Sequence, residues 1–128
     1  MQEFIRSRIV SFGHAFRGWW YVIRTQQNAW IHAVVTLIVL ILGLALHLPL
    51  RDWAVLFVAI CMVWMAEFLN SALEAVVDLA SPTHHHLAKT GKDVGAAAVL
   101  ITAFTSIIIG LMIMGPPLWT YLSEWFKH

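Results

Sequence analysis

Disulfide chemistry is absent from this chain. Of its 128 residues only Cys61 is a cysteine, so no disulfide framework exists, and a buried small apolar side chain is the expected role of that thiol. Charge is almost as scarce. Asp, Glu, Lys and Arg make up 12% of the sequence, against the ~25% usual in a soluble domain. Residues 25–50 and 94–123 contain none of the four. Either run exceeds the ~20 residues that cross a bilayer as a helix, which argues against a water-soluble core. Nucleotide-binding glycine motifs are missing too. "TGKD" (90–93) is no Walker A loop, because no Gly stands five residues before Gly91 and Asp93 occupies the Ser/Thr position. No G-x-G-x-x-G occurs.

What remains is apolar: 60% of residues are hydrophobic and the mean hydropathy is +0.76. The length fits one domain, residues 1–128, and three spans are expected, at 29–48, 51–79 and 94–114. Pro49 with Arg51-Asp52 marks a short turn between the first two. Ser81-Pro82 marks a break followed by a new helical turn. Gly115-Pro116-Pro117 is expected to end the third span before a short interfacial tail helix. Before the first span, residues 1–26 place Phe4, Ile5, Ile9, Phe12, Phe16, Trp19, Trp20 and Ile23 at helical spacing among Arg residues and His14. That pattern reads as an amphipathic helix lying in the membrane interface. His32 and His47 flank the first span and are expected to reach toward the interfaces. The first span begins too late and is too long for a cleavable signal.

Arg6, Arg8, Arg17 and Arg24 precede the first span, and Lys89 and Lys92 lie between the second and third. Only Arg51 and Lys127 fall on the other side. The positive-inside bias puts the N-terminus and the 79–93 loop in the cytoplasm and the C-terminus outside. A net charge of +1 gives no ground for a nucleic-acid partner.

One stretch breaks the apolar pattern. "EFLNSALEAVVD" carries Glu67, Asn70, Ser71, Glu74 and Asp78. On a helix these fall at about 0°, −60°, +40°, −20° and +20°, one narrow stripe. Trp53 to Glu67 spans ~21 Å of a ~30 Å hydrocarbon core, so Glu67 should sit within the inner leaflet and Asp78 should reach water. Three spans should enclose such a stripe poorly, so a neighbouring chain is expected to cover it. A Glu in partly apolar surroundings can act as a general base. Carboxylates with water and phosphate oxygens suit Mg²⁺, and Lys92 offers phosphate a point charge. Phosphoryl transfer at a membrane surface fits. So do an ion- or proton-conducting assembly and a non-catalytic scaffold held by polar helix contacts. The run His84-His85-His86 is a poor metal site, since adjacent helical positions diverge by ~100°; a polar loop is the simpler reading.

The stripe resembles the signature of the small prokaryotic diacylglycerol kinases, E-x-x-N-[ST]-[SA]-[IL]-E-x-x-[VI]-D, matched by Glu67, Asn70, Ser71, Ala72, Leu73, Glu74, Val77 and Asp78. "LAKTGKDVGAAAVLI" (87–101) is similar to the family's second block, with Gly91 for the usual Ala. "SFGHAFRGWWYVIRTQQNAWIH" (11–32) is similar to its surface helix and first-span entry. The resemblance implies an all-α integral-membrane lipid kinase, a homotrimer whose active sites are shared between subunits. It implies a surface helix and three transmembrane helices per chain, Mg-ATP on the cytoplasmic side, and location in the bacterial inner membrane. By position, Glu67 would be the general base and Glu74 would hold Mg²⁺ and contact ATP. Asn70 and Asp78 would order the site. Arg8, Arg17, Thr83, His84, His85, Lys92 and Asp93 would approach the nucleotide. Gln26 stands where the family commonly has a second metal-binding Glu; its amide oxygen can ligate Mg²⁺ but brings no charge, so weaker binding is expected there. The family divides between diacylglycerol and undecaprenol as substrate. "DLASP", "LAK" and Asn28, Ile31 and His32 look closer to the undecaprenol type.

Overall fold

The computed structural model describes residues 1–83 and 85–126. Four helices follow in order, α1 (Gln2–Thr25), α2 (Gln27–Ala45), α3 (Leu50–Ala80) and α4 (His86–Trp125), with no strand among the described residues. A chain this apolar must satisfy its backbone polar groups within each segment, and a helix does so. α2, α3 and α4 are each long and apolar enough to cross a membrane. The first expected span overran its helix, because residues 46–48 form the turn. At 1.5 Å per residue the 31 residues of α3 reach about 46 Å, well beyond the ~30 Å hydrocarbon core.

The α2–α3 turn closes on itself. His47 has φ 51°, and the Leu48 amide donates to the Gly43 carbonyl at 3.2 Å while the His47 amide donates to that of Leu44 at 3.1 Å. This pair of bonds is a Schellman cap, which satisfies carbonyls left free at the helix end. Leu48 is buried beneath the turn. A Cβ on Gly43 would lie 2.8 Å from the Trp53 ring, so the glycine lets α3 start close against α2. His47 is exposed, as expected of a side chain at a span end.

α3 and α4 form the main packed pair. Ala59, Val63 and Val99 are buried, and the Ser106 hydroxyl donates to the Ala59 carbonyl at 3.2 Å. A Cβ on Gly95 would collide with Asn70 Oδ1; within the "VGAAAV" stretch, glycine at this point permits close approach. α1 reaches the bundle through buried Val22 and through Trp19, stacked on Trp64 at 5.2 Å between ring centroids.

Three expectations need correction. α4 does not end at Gly115-Pro116-Pro117 but runs through them to Trp125, so no separate tail helix follows among the described residues. Proline's fixed φ is itself helical, so the helix continues through both at the cost of the hydrogen bonds their missing N–H groups would have made, and Gly115 has no Cβ to clash with the ring that follows. Ser81-Pro82 ends α3 as expected, but the helix resumes at His86. There the His85 imidazole accepts from the Leu87 amide at 3.2 Å and caps α4. Cys61 is exposed, not buried; it sits on a face of α3 turned away from the other helices.

Candidate active site

The polar stripe of α3 is graded. Glu67 is 0%, Ser71 2% and Asn70 6% exposed, Glu74 is half-buried and Asp78 exposed. The chain's own helices therefore enclose the upper stripe, contrary to the expectation that three spans could not. Ser71 has a local structural role, donating from its hydroxyl to the Glu67 carbonyl at 2.8 Å.

Gln26 lies at the break between α1 and α2, in extended conformation. That break turns its side chain onto α3, where Nε2 donates to Glu74 Oε2 at 3.1 Å. Asn70 Nδ2 donates to Glu74 Oε1 at 3.2 Å. Two neutral amides thus fix the Glu74 carboxylate without neutralising it. Gln27, one residue on, is exposed. This donor set fits Mg²⁺ only in part. Among the described residues no three His, Cys, Asp or Glu side chains converge on a metal position. An ion on Glu74 would draw most of its shell from phosphate oxygens and water, as Mg²⁺ commonly does.

Glu67 differs. Neither of its oxygens has a hydrogen-bond partner among the described residues. His32 Nε2 approaches Oε2 at 3.6 Å, so His32 faces the carboxylate and does not reach for an interface as expected. Sequence reasoning named His32 but missed this approach to Glu67, although an imidazole inside an uncharged span is itself a functional signal.

At the far end of the stripe Lys92 on α4 forms an ion pair with Asp78. Both border a cleft of about 650 Å³ also lined by Thr83, His85 and Lys89. Lys89 was not among the expected site residues; its position one turn before Lys92 puts it on the same face. His84 lies outside the described residues. The remaining expected residues are not gathered here. Arg8 lies over the Phe4 ring, Arg17 bonds to the Gly13 carbonyl and to His14, and Asp93 is exposed and not part of the cleft wall. From Glu67 to Asp78 the stripe rises about 16 Å along α3. A buried, unpaired carboxylate at one end and a basic cleft at the other suit proton removal and phosphate binding, respectively.

The chain belongs to the prokaryotic diacylglycerol kinase family, whose model matches residues 13–114. It is a membrane protein of an enzyme family of lipid kinases. Among its relatives, the undecaprenol kinase of Bacillus subtilis (strain 168) is 44% identical over 108 residues, 84% of this chain and 88% of that protein. The diacylglycerol kinase of Synechocystis sp. is 41% identical over 111 residues, 86% of this chain and 63% of that protein. The diacylglycerol kinase of Escherichia coli (strain K12) is 33% identical over 89 residues, 64% of this chain and 73% of that protein.

Proposed function

We propose that this protein transfers the γ-phosphoryl group of ATP, with Mg²⁺, to the hydroxyl of a membrane lipid alcohol. Undecaprenol is the favoured substrate and diacylglycerol the second. The observation that carries the reading is the pairing, on one face of α3, of a fully buried Glu67 with free carboxylate oxygens and a Glu74 whose oxygens are held by Gln26 and Asn70. Similarity to the Bacillus undecaprenol kinase over most of both chains supports the substrate order.

Glu67 is the proton acceptor. It takes the hydroxyl proton as the lipid oxygen attacks the γ-phosphorus, and ADP leaves. Glu74, with Gln26 as a weaker partner, would hold the ion, which when bound would neutralise charge on the phosphates. Asn70 orients Glu74, and Asp78 holds Lys92 at the cleft. Lys92, with Thr83, His85 and His84 nearby in the chain, receives the nucleotide. Arg8, Arg17 and Asp93 complete that contact from the surface helix and α4. Residues 1–128 act as one unit in a homotrimer with sites shared between subunits. α1 lies as an amphipathic helix on the cytoplasmic face of the bacterial inner membrane. The N-terminus is inside and the C-terminus outside, following the excess of Arg and Lys on one side.

The test offers undecaprenol and diacylglycerol together to detergent-solubilised protein with Mg²⁺ and ATP, reading ADP release and the phosphorylated lipids by mass spectrometry. Predominant undecaprenyl phosphate is expected. Lipid-independent or absent ADP release would overturn the kinase reading and leave an ion-conducting assembly or a scaffold. Predominant phosphatidic acid would reverse the substrate order.

A further inference from the structure

Resting on Glu67 as proton acceptor, we propose that His32 is a positioning residue for its carboxylate. The imidazole Nε2–H holds one Glu67 oxygen and leaves the other to meet the lipid hydroxyl.

Three buried polar atoms carry this inference. Both Glu67 oxygens and His32 Nε2 lack a hydrogen-bond partner among the described residues, while Nε2 and Oε2 stand 3.6 Å apart. A hydrogen bond needs an approach of about 2.7–3.2 Å, so a few tenths of an ångström pair two groups that are otherwise costly to leave buried and unpaired. A carboxylate's terminal torsion is broad and two-fold. With no donor, either oxygen of Glu67 can swing toward substrate; with Nε2–H on one of them, the other keeps one direction.

The imidazole is itself supported. Trp64 meets the His32 ring edge-on at 6.4 Å between centroids. Trp64 is fixed by its Nε1–H, which donates to Thr36 Oγ1 at 3.2 Å, and by the stacked Trp19 of α1. Thr36 lies one helical turn beyond His32 on α2. The surface helix, the first span and the catalytic helix thus meet at one supported ring. His32 acts only through Glu67, so its loss should lower turnover and leave nucleotide affinity alone.

The test compares His32→Gln with His32→Met in the full chain, in detergent micelles with undecaprenol and ATP. The two side chains are similar in length, but only Gln carries an N–H donor. His32→Met is expected to lower kcat about 10- to 100-fold, the scale set by misplacing a reacting group by about 1 Å, with KM for ATP unchanged. His32→Gln is expected to recover most of that loss. Adding His32→Met to Glu67→Gln should produce no further fall. The inference is overturned if His32→Met turns over like the parent, if His32→Gln is as slow as His32→Met, or if the losses multiply in the double variant. Should His32→Met not fold, as read by circular dichroism, His32→Gln decides alone: near-parental kcat supports the inference and a tenfold fall at unchanged ATP KM overturns it. A fully active Glu67→Gln overturns the proton-acceptor reading together with this inference. An inactive Glu67→Gln beside a normal His32→Met overturns this inference alone.

Discussion

Glu67 and Glu74 lie two helical turns apart on one face of α3, yet their surroundings give them different work. Glu67 is enclosed and unpaired; Glu74 is half-open and held by two amides. Glu67→Gln preserves shape and removes a proton acceptor, so turnover should fall about 10²- to 10⁴-fold, the range for general-base loss, while Mg-ATP binding persists. Glu74→Gln removes the charge that would meet the ion, so Mg²⁺ and nucleotide affinity should weaken together. Initial rates beside calorimetric titration of Mg-ATP separate the two. Parental turnover in Glu67→Gln, or an unmoved Mg²⁺ dependence in Glu74→Gln, assigns that residue to structure. Gln26 gives a finer test, because its amide now sits 3.1 Å from Glu74. Gln26→Glu would set two carboxylates side by side, which repel without a cation and bind one better with it. The half-saturating Mg²⁺ concentration should fall several-fold, and thermal stability should drop when EDTA removes the ion. Gln27→Glu, on an exposed side chain, should do neither. A magnesium titration that moves with Gln27→Glu, or with neither variant, removes position 26 from the metal site.

At the scale of the elements, the turn after α2 is open to improvement. His47 holds φ 51°, a left-handed conformation that glycine adopts without a Cβ penalty. His47→Gly should raise stability by about 0.5–1 kcal/mol, read as a higher unfolding temperature in detergent at unchanged activity. An unchanged or lower unfolding temperature would mean that the imidazole contributes more than its backbone strain costs. The same elements mark how far the sequence could be read. The stripe on α3 was legible because residues on one helix share a face by spacing alone, and the first and third spans were legible because their uncharged runs exceed a bilayer's thickness. Gln26 against Glu74 followed from the resemblance. His32 against Glu67 did not follow, since which side chain of α2 meets α3 depends on how two helices cross. Pro116-Pro117 misled because a helix-breaking rule drawn from soluble interiors met a long helix already set by its apolar length. Exposed Cys61 misled because burial was inferred from residue type, whereas much of this apolar chain faces outward.

At the scale of the whole molecule, that outward face bears on assembly. The chain exposes 10167 Å², whereas a compact soluble protein of 14.5 kDa exposes about 6,900 Å² by the usual size scaling. The surplus is rich in exposed side chains such as Phe57, Leu69, Phe104 and Leu111, which face lipid or other copies. Because the chain's own helices already bury Glu67, an exposed polar stripe no longer argues for a trimer. The stronger argument lies lower, where Glu74 and Asp78 open outward and where, among the described residues, the contacts of Arg8 and Arg17 lie along α1. If a neighbour's α1 brings those arginines and its cleft to this chain's Glu74, Glu67 and Lys92 of one site come from different chains. Co-assembling Glu67→Gln with Lys92→Ala subunits, each inactive alone, should then restore about a quarter of the sites by random mixing in a closed ring. Native mass spectrometry should show three copies. No recovery from a mixed trimer places Glu67 and Lys92 of each site on one chain, where Lys92 already meets Asp78, and an active monomer removes the assembly from the mechanism.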